Sequence, residues 1–328
     1  MLLWSFLLVV GGLILLLISG DLLVRGAVAL ARNFRIPPLI IGLTIVAFGT
    51  SAPELFIGID AALIGGDALG IALGNVIGSN IANVLLVLGL PTLLAATVCK
   101  QAAIRRNTVL MVLATLFFIL LCQDGTLTRI DGMLLFGGII AFLAYSAHRA
   151  RHARKKPADL ADMAELDDLS GLPSSVPLIG LFILASVIGL PVGAHMIVTG
   201  GTDLARAAGV SPSVIGLSLV AVGTSLPELA TTVVAAMRKH SAVALGNVIG
   251  SNLFNLLAIM GVTAMVAHRP IEIDPRLLHV DIWVMLASSA LILPYVMWRL
   301  PIGRLSGILF LGGYAAYLVF LFTNGAPR

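Results

Sequence analysis

The chain has 328 residues, 59% of them hydrophobic and 11% charged, with a formal net charge of +4. Soluble domains carry about 25% charged residues, so a large water-soluble domain is excluded. Continuous apolar runs such as "SFLLVVGGLILLLIS" also exclude a membrane β-barrel, whose strands alternate apolar and polar residues.

Hydropathy predicts ten apolar segments, at 2–32, 36–64, 69–96, 102–122, 130–148, 176–208, 210–237, 242–267, 279–298 and 303–323. Each is long enough for a membrane-spanning helix of roughly 20 residues. The expected fold class is an all-α membrane protein with ten transmembrane helices. The first segment has no basic residue before it and no small-residue cleavage site after it, so it reads as a retained helix and not a signal peptide. Cys99 and Cys122 fall near opposite ends of the fourth segment, roughly 35 Å apart at 1.5 Å per residue, beyond disulfide reach.

Between the fifth and sixth segments runs "HRARHARKKPADLADMAELDDLSGLPSS", His148 to Ser175. Its basic start, acidic middle and Gly/Pro/Ser end read as a solvated linker. The chain divides into 1–148, a linker at 149–175, and 176–328. Of the 20 basic residues, all but Arg129, Arg206, Arg269, Arg276 and Arg328 fall on the linker's side of a ten-span topology. The excess of positive charge on cytoplasmic loops makes the linker cytoplasmic and puts both termini outside. The basic residues collect in loops and call for no nucleic-acid partner; the lipid bilayer is the partner the composition implies.

The two halves are copies. "IGLTIVAFGTSAPEL" in the first matches "IGLSLVAVGTSLPEL" in the second. "ALGNVIGSNIAN" at Ala72 to Asn83 matches "ALGNVIGSNLFN" at Ala244 to Asn255. Five spans per half is an odd number, which inverts the second copy relative to the first. The expected architecture is therefore two inverted five-helix repeats with a site at the midplane between them.

The duplicated stretches carry polar groups where none is needed for insertion. Glu54 and Glu228 each follow a proline, Pro53 and Pro227. Proline lacks the N–H and crowds the carbonyl four residues back, here those of Gly49 and Gly223, so each helix is expected to bend near mid-membrane. Thr50 and Glu54 share a helix face, with Ser51 beside them; Thr224, Ser225 and Glu228 repeat the set. Asn75, Ser79 and Asn83 fall on one face of the next helix, as do Asn247, Ser251 and Asn255. Gly74 with Gly78, and Gly246 with Gly250, form small-residue faces for close helix approach.

These groups supply carboxylate, hydroxyl, amide and carbonyl oxygens, with no cysteine or histidine among them. Oxygen-only sets suit hard cations such as Ca²⁺, Mg²⁺ and Na⁺. A charge at mid-bilayer costs about 2.5–3.5 kcal/mol on insertion scales, so two glutamates there require a reason; together they carry the charge that one Ca²⁺ neutralises. Taken singly, a small-residue face is more often packing, and a lone Ser or Thr usually bonds its own backbone. Duplication of the whole set is what argues for function.

At "GTSAPE", "GTSLPE" and the repeated "GNVIGSN" the chain resembles the sodium/calcium exchanger family of the cation/calcium antiporter superfamily, in its bacterial type. The resemblance covers nearly the whole chain. It implies a secondary antiporter that exchanges Ca²⁺ for Na⁺ by alternating access across the plasma (inner) membrane, with no cofactor and no enzymatic activity. It further implies Glu54 and Glu228 as carboxylate ligands, with oxygens from Thr50, Ser51, Thr224 and Ser225. The carbonyls of Ala47 and Ala221 would serve Na⁺, and Ser79, Asn83, Ser251 and Asn255 would complete the ring. Many relatives have aspartate at one of the positions held here by Asn83 and Asn255, which leaves the coupling ratio and any K⁺ dependence open.

Exchange coupled to H⁺ or of another divalent cation is the alternative within transport; a cation channel, a membrane enzyme and a membrane scaffold are the alternatives outside it. Trans-Na⁺-dependent Ca²⁺ counterflow separates exchange from a channel. Four further polar residues stand apart. Asp21 and His195 occupy matching positions in the first and sixth segments and read as a polar contact or ion vestibule. Asp60 lies on a different face from Glu54, and Asp203 near the outer surface.

Overall fold

Long apolar runs with few breakers give helices here, and breaks come where Pro, Gly and Ser cluster. The structure, a computed structural model, describes residues 2–99, 101–153, 172–173, 175–209 and 221–324. In chain order the helices are α1 (Leu2–Phe34), α2 (Pro38–Thr50), α3 (Ala52–Ile64), α4 (Asp67–Leu94), α5 (Ala102–Leu121), α6 (Arg129–Ala153) and α7 (Val176–Ala207), then α8 (Ala221–Thr224), α9 (Leu226–Met237), α10 (Ser241–Val266), α11 (Leu277–Met297) and α12 (Arg304–Asn324). Among the described residues eight are long and apolar enough to cross a membrane, and the bent pair α2–α3 makes a ninth. The segment expected at 210–237 lies partly outside the described residues, as does most of the linker expected at 149–175. α6, the fifth expected segment, runs to Ala153, past the expected limit at 148.

The predicted bend is present, and its cause differs from the expectation. Chain direction changes by 48° between α2 and α3, and the break is at Ser51, with φ −89° and ψ 6°. Ser225 repeats it at φ −90° and ψ 3° between α8 and α9. Pro53 and Pro227 stand in the first turn of the helices that follow. There the missing N–H has no intrahelical partner to lose and the fixed φ suits helix initiation. The prolines start new helices and do not kink old ones. Glu54 and Glu228 thereby fall in the first turns of α3 and α9.

Two apolar cores hold the bundle. One joins α4, α5, α6, α10, α11 and α12; the other joins α1 and α7 to α2, α9 and α10. α1 and α7 pack along their length through glycine. A Cβ on Gly12 would stand 2.7 Å from the carbonyl oxygen of Gly193, and one on Gly193 would stand 3.0 Å from that of Gly12. The expected close approach also holds for α10 against α2, where Gly246 faces the Leu39 carbonyl and Gly250 that of Leu43. Gly74 and Gly78 differ: no described atom lies within 4 Å of where their Cβ would be.

Short backbone pairings fasten the loops at both ends of α5. Before it, Thr97 and Ile302 exchange two backbone hydrogen bonds of 2.9 Å. After it, β1 (Thr126–Leu127) pairs antiparallel with β2 (Ile271–Glu272), with Leu127 opposite Ile271. Cys99 and Cys122 are free and buried, as their predicted separation requires.

Candidate cation site

The breaks at Ser51 and Ser225 bring polar side chains of both halves to one place. Ser51 donates its hydroxyl to Glu228 Oε1 at 3.0 Å. Thr50 contacts α10, with Oγ1 3.2 Å from Asn247 Oδ1 and 3.4 Å from Ser251 Oγ. Asn247 donates in turn to the Thr232 hydroxyl at 3.0 Å and to the Glu228 carbonyl at 3.4 Å. Glu54 and Glu228 are each 1% exposed.

A second layer consists of four asparagines. Asn83 donates to Asn252 Oδ1 at 3.0 Å, and Asn255 donates to Asn80 Oδ1 at 3.1 Å. Asn80 and Asn252 also point their amide nitrogens at each other's backbone carbonyl, at 3.5 and 3.3 Å. These bonds fix which end of each amide is which. Because Asn80 and Asn252 must present oxygen to Asn255 and Asn83, the latter two spend their nitrogens and keep Oδ1 free. Both sit where the helix widens to π geometry, Asn83 opening Asn83–Leu88 and Asn255 within Phe254–Ile259. Such π turns are frequent at functional sites.

The result is a set of buried oxygens with no hydrogen-bond partner: both carboxylate oxygens of Glu54, Oε2 of Glu228, Oγ of Ser79 and Ser225, and Oδ1 of Asn83 and Asn255. An unpaired buried polar group is expensive and an unpaired buried carboxylate more so. All of these oxygens belong to residues expected from the sequence. They are hard donors at two carboxylates and several neutral groups, which fits a hard cation. Among the described residues no group of three or more His, Cys, Asp or Glu forms a metal cluster, so a cation here would rely on two carboxylates and neutral oxygens.

Thr50, Ser51, Ser79, Asn83, Ser225, Ser251 and Asn255 are buried with the glutamates. Thr224 is half-buried at the end of α8. The Ala47 carbonyl already accepts from the Ser51 N–H at 3.0 Å and the Thr50 hydroxyl at 3.2 Å. Ala221 begins α8, and its side chain lies outside the described ones. Asn75 is half-buried, whereas its counterpart Asn247 is fully enclosed. Asn80 and Asn252 are the positioning residues that a face-by-face reading misses, whereas Asn247, on the expected face, links Thr50 to Thr232 and the Glu228 carbonyl. The signal was present, since Asn80 and Asn252 end the duplicated "GNVIGSN".

Of the outlying polar residues, Asp21 is a polar contact, as expected. It pairs with Arg25 at 3.1 Å and with Arg238, whose Nε lies 2.6 Å from Oδ1. His195 is exposed on α7, near the Thr199 hydroxyl at 3.5 Å. Asp60 is exposed, and Asp203 accepts from Ser5 at 3.2 Å.

A bundle of spanning helices with broken segments and a central set of unpaired oxygens defines a membrane transporter for cations. Comparison with known proteins agrees: the model of the sodium/calcium exchanger protein family matches residues 4–147 and 178–323, and the chain belongs to that family. It is 37% identical to the inner membrane protein YrbG of Escherichia coli over 98% of both chains. It is 36% identical to the putative antiporter CaxA of Alkalimonas amylolytica over 95% of this chain and 97% of the relative. It is 33% identical to the sodium/calcium exchanger MaX1 of Methanosarcina acetivorans over 97% of this chain and 98% of the relative. Among solved structures, the sodium-calcium exchanger NCX_Mj soaked with Na⁺ and Sr²⁺ superposes with a TM-score of 0.81 at 31% identity, covering 97% of this chain and 99% of that one.

Proposed function

We propose that this multi-pass membrane antiporter exchanges Ca²⁺ for Na⁺ by alternating access, with the ions bound between two inverted five-helix repeats, 1–148 and 176–328. The observation that carries the reading is the set of unpaired buried oxygens on Glu54, Ser79, Asn83, Ser225, Glu228 and Asn255. The glutamates and the asparagines are matched across the halves, whereas the counterparts of the two serines are engaged: Ser251, that of Ser79, contacts Thr50, and Ser51, that of Ser225, donates to Glu228. The matching backbone of Ser51 and Ser225 and the paired π turns at Asn83 and Asn255 support the repeat. The family match supports the ions.

Glu54 and Glu228 are the carboxylate ligands in this reading, and Thr50, Ser51, Thr224, Ser225, Ser79, Asn83, Ser251 and Asn255 supply neutral oxygens. The carbonyls of Ala47 and Ala221 serve Na⁺ only if the Ala47 carbonyl shares its present hydrogen bonds. Na⁺ and Ca²⁺ compete for overlapping positions, so that loading one displaces the other. α1 and α7 move together against the remaining helices to open the site to one side at a time. The basic loops support a cytoplasmic linker at 149–175, both termini outside, and residence in the plasma (inner) membrane.

The test is ⁴⁵Ca²⁺ uptake into proteoliposomes under Na⁺, K⁺ or H⁺ gradients imposed one at a time. Uptake that requires internal Na⁺ is expected. Uptake driven by H⁺ and indifferent to Na⁺, or Ca²⁺ flux with no counter-ion, overturns the reading.

A further inference from the structure

We propose that Asp281 is a waiting site for the transported cation, between one face of the membrane and the central oxygens, and that Arg276 is its resident counter-ion. The proposal rests on the exchange reading above and adds a third carboxylate to it, on a helix that contributes none of the ligands named so far.

Asp281 ends the π turn Leu277–Asp281 of α11. It is 2% exposed although it lies within a span. A buried acid in a membrane helix needs a partner, and by default it marks an ion pathway. Tyr317 of α12 donates its hydroxyl to Oδ1 at 2.9 Å. Arg276 approaches the other oxygen, with Nε 3.7 Å from Oδ2. A charge-assisted hydrogen bond closes to about 2.7–2.9 Å, so this pair offers charge without a bond. Nε and Nη2 of Arg276 are buried and have no hydrogen-bond partner. The guanidinium instead lies 5.8 Å from the centroid of the Phe320 ring, where a cation rests at low cost. Oδ2 is thus neutralised from a distance and remains available to an incoming ion.

The position connects to the central site. One helical turn along α11, Met285 receives the Asn80 amide on its sulfur at 3.6 Å. Asp281, Arg276 and Tyr317 line one cavity with Asn75 and Ser79 among the described residues. Ser79 is 3% exposed, and its Oγ is one of the unpaired oxygens. A hard cation that passes the exposed acids Asp67, Glu272 and Asp274 sharing this cavity reaches the buried Oδ2, releases Arg276 toward Phe320, and finds Ser79 as the next oxygen. No covalent bond changes; one counter-ion replaces another.

The other half of the chain lacks the device. Thr97 and Ile271 are the residues through which the loops before α5 and α11 make their backbone pairings. Setting those two in register brings Met111 onto Met285, both fully buried. The same register puts Asn107 at the place of Asp281 and Ala102 at the place of Arg276. A waiting site on one side only predicts one-sided kinetics.

Reconstituted full-length protein of known orientation is assayed for ⁴⁵Ca²⁺ exchange with Ca²⁺ supplied from each face in turn. Asp281→Asn is expected to raise the KM for Ca²⁺ from the face bearing Arg269 and Arg276 by about tenfold, the scale of one charge-assisted contact. The KM from the opposite face stays within twofold. Arg276→Gln is expected to lower the KM from the first face. An unchanged KM from that face in Asp281→Asn, or an equal rise from both, overturns the proposal.

A readout without transport separates this from the exchange reading. Tb³⁺ held at Asp281 would be sensitised by Tyr317, so Tb³⁺ emission is expected in Glu54→Gln and absent in Asp281→Asn. Emission that survives Asp281→Asn, or that vanishes in Glu54→Gln, overturns the proposal. Emission of the expected pattern in a protein that shows no Na⁺-dependent exchange upholds the waiting site and overturns only the exchange reading.

Discussion

Ser51 Oγ lies 3.0 Å from Glu228 Oε1, so the hydroxyl beside one glutamate's proline holds the glutamate of the other half. The contact ties the two breaks into one unit. Glu54 makes no equivalent bond: both of its carboxylate oxygens and Ser225 Oγ are unpaired. The two acids are alike in sequence and unlike in engagement.

Replacing either acid by its amide keeps shape and removes one charge. Glu54→Gln and Glu228→Gln are each expected to lower Na⁺-driven Ca²⁺ exchange at least about hundredfold, roughly 3 kcal/mol. The detergent-solubilised protein stays monodisperse. ⁴⁵Ca²⁺ flux with size-exclusion chromatography checks both, and full exchange by either variant removes the acids from the site.

The four-asparagine layer predicts an effect without any loss of charge. Asn252→Ala removes the acceptor that takes the Asn83 nitrogen, which frees Asn83 to turn its amide. The KM for Ca²⁺ is expected to rise about tenfold, in keeping with loss of a buried hydrogen bond. Asn80→Ala should act likewise through Asn255. An unaltered KM in both would show that these amides only pack.

Asn255 is neutral, and with Glu54 and Glu228 ionised the central site carries two negative charges. One Ca²⁺ neutralises it, whereas three Na⁺ leave it at +1. At an effective dielectric of 20, two unit charges 4 Å apart interact by about 4 kcal/mol, so an added carboxylate matters. Asn255→Asp is expected to raise cation affinity. In the wild type, Na⁺-driven Ca²⁺ exchange is expected to carry current across a solid-supported membrane. A silent trace beside measured Ca²⁺ flux would establish two Na⁺ per Ca²⁺.

The Asp21–Arg238 ion pair joins α1 to the end of α9, and the repeat provides no match for it. The counterpart of Asp21 is His195, and that of Arg238 falls in the stretch 64–66, which holds Ile64, Gly65 and Gly66. A latch at one end only biases the resting state. Both side chains are about 30% exposed, so the pair contributes on the order of 0.5–1 kcal/mol. Asp21→Asn is expected to quicken hydrogen exchange in α2, which packs on Gly246 and Gly250 beside that end. Unchanged exchange there would show the pair to be ornamental to the conformational balance.

Burial pushes the thiols of Cys99 and Cys122, which lie outside the spans, up to about 12. The thiolate fraction at pH 7 is then on the order of 10⁻⁵. Neither cysteine is expected to react with a maleimide in the folded protein, and both should react in dodecyl sulfate. Mass spectrometry before and after unfolding checks this.

The residues at the two breaks were legible because duplication repeats them: a lone Thr-Ser-x-Pro-Glu in a span has several explanations, a mirrored pair has few. What escaped was set by direction. Asn80 and Asn252 are one position from Ser79 and Ser251, and neighbours on a helix do not share a face. Only the crossing of α4 over α10 turns those amides toward each other. Asp281 and Tyr317 are 36 positions apart, and no local spacing joins them. Proline in the sequence points to a bend but does not say which residue breaks the helix; Ser51 and Ser225 do so, two positions before each proline.

The glycine seam between α1 and α7 has a mechanical meaning. Where Gly12 and Gly193 meet, each lies against the other's backbone carbonyl, and the side chains of Leu16, Met196 and Ile197 close around the contact. In the proposed exchange, two rods so joined act as a single lever. In the proposed cycle its two arms rise and fall together, so uncovering the ions toward one compartment must cover them toward the other. The prohibition on leak would then come from stiffness in a seam that touches no ion.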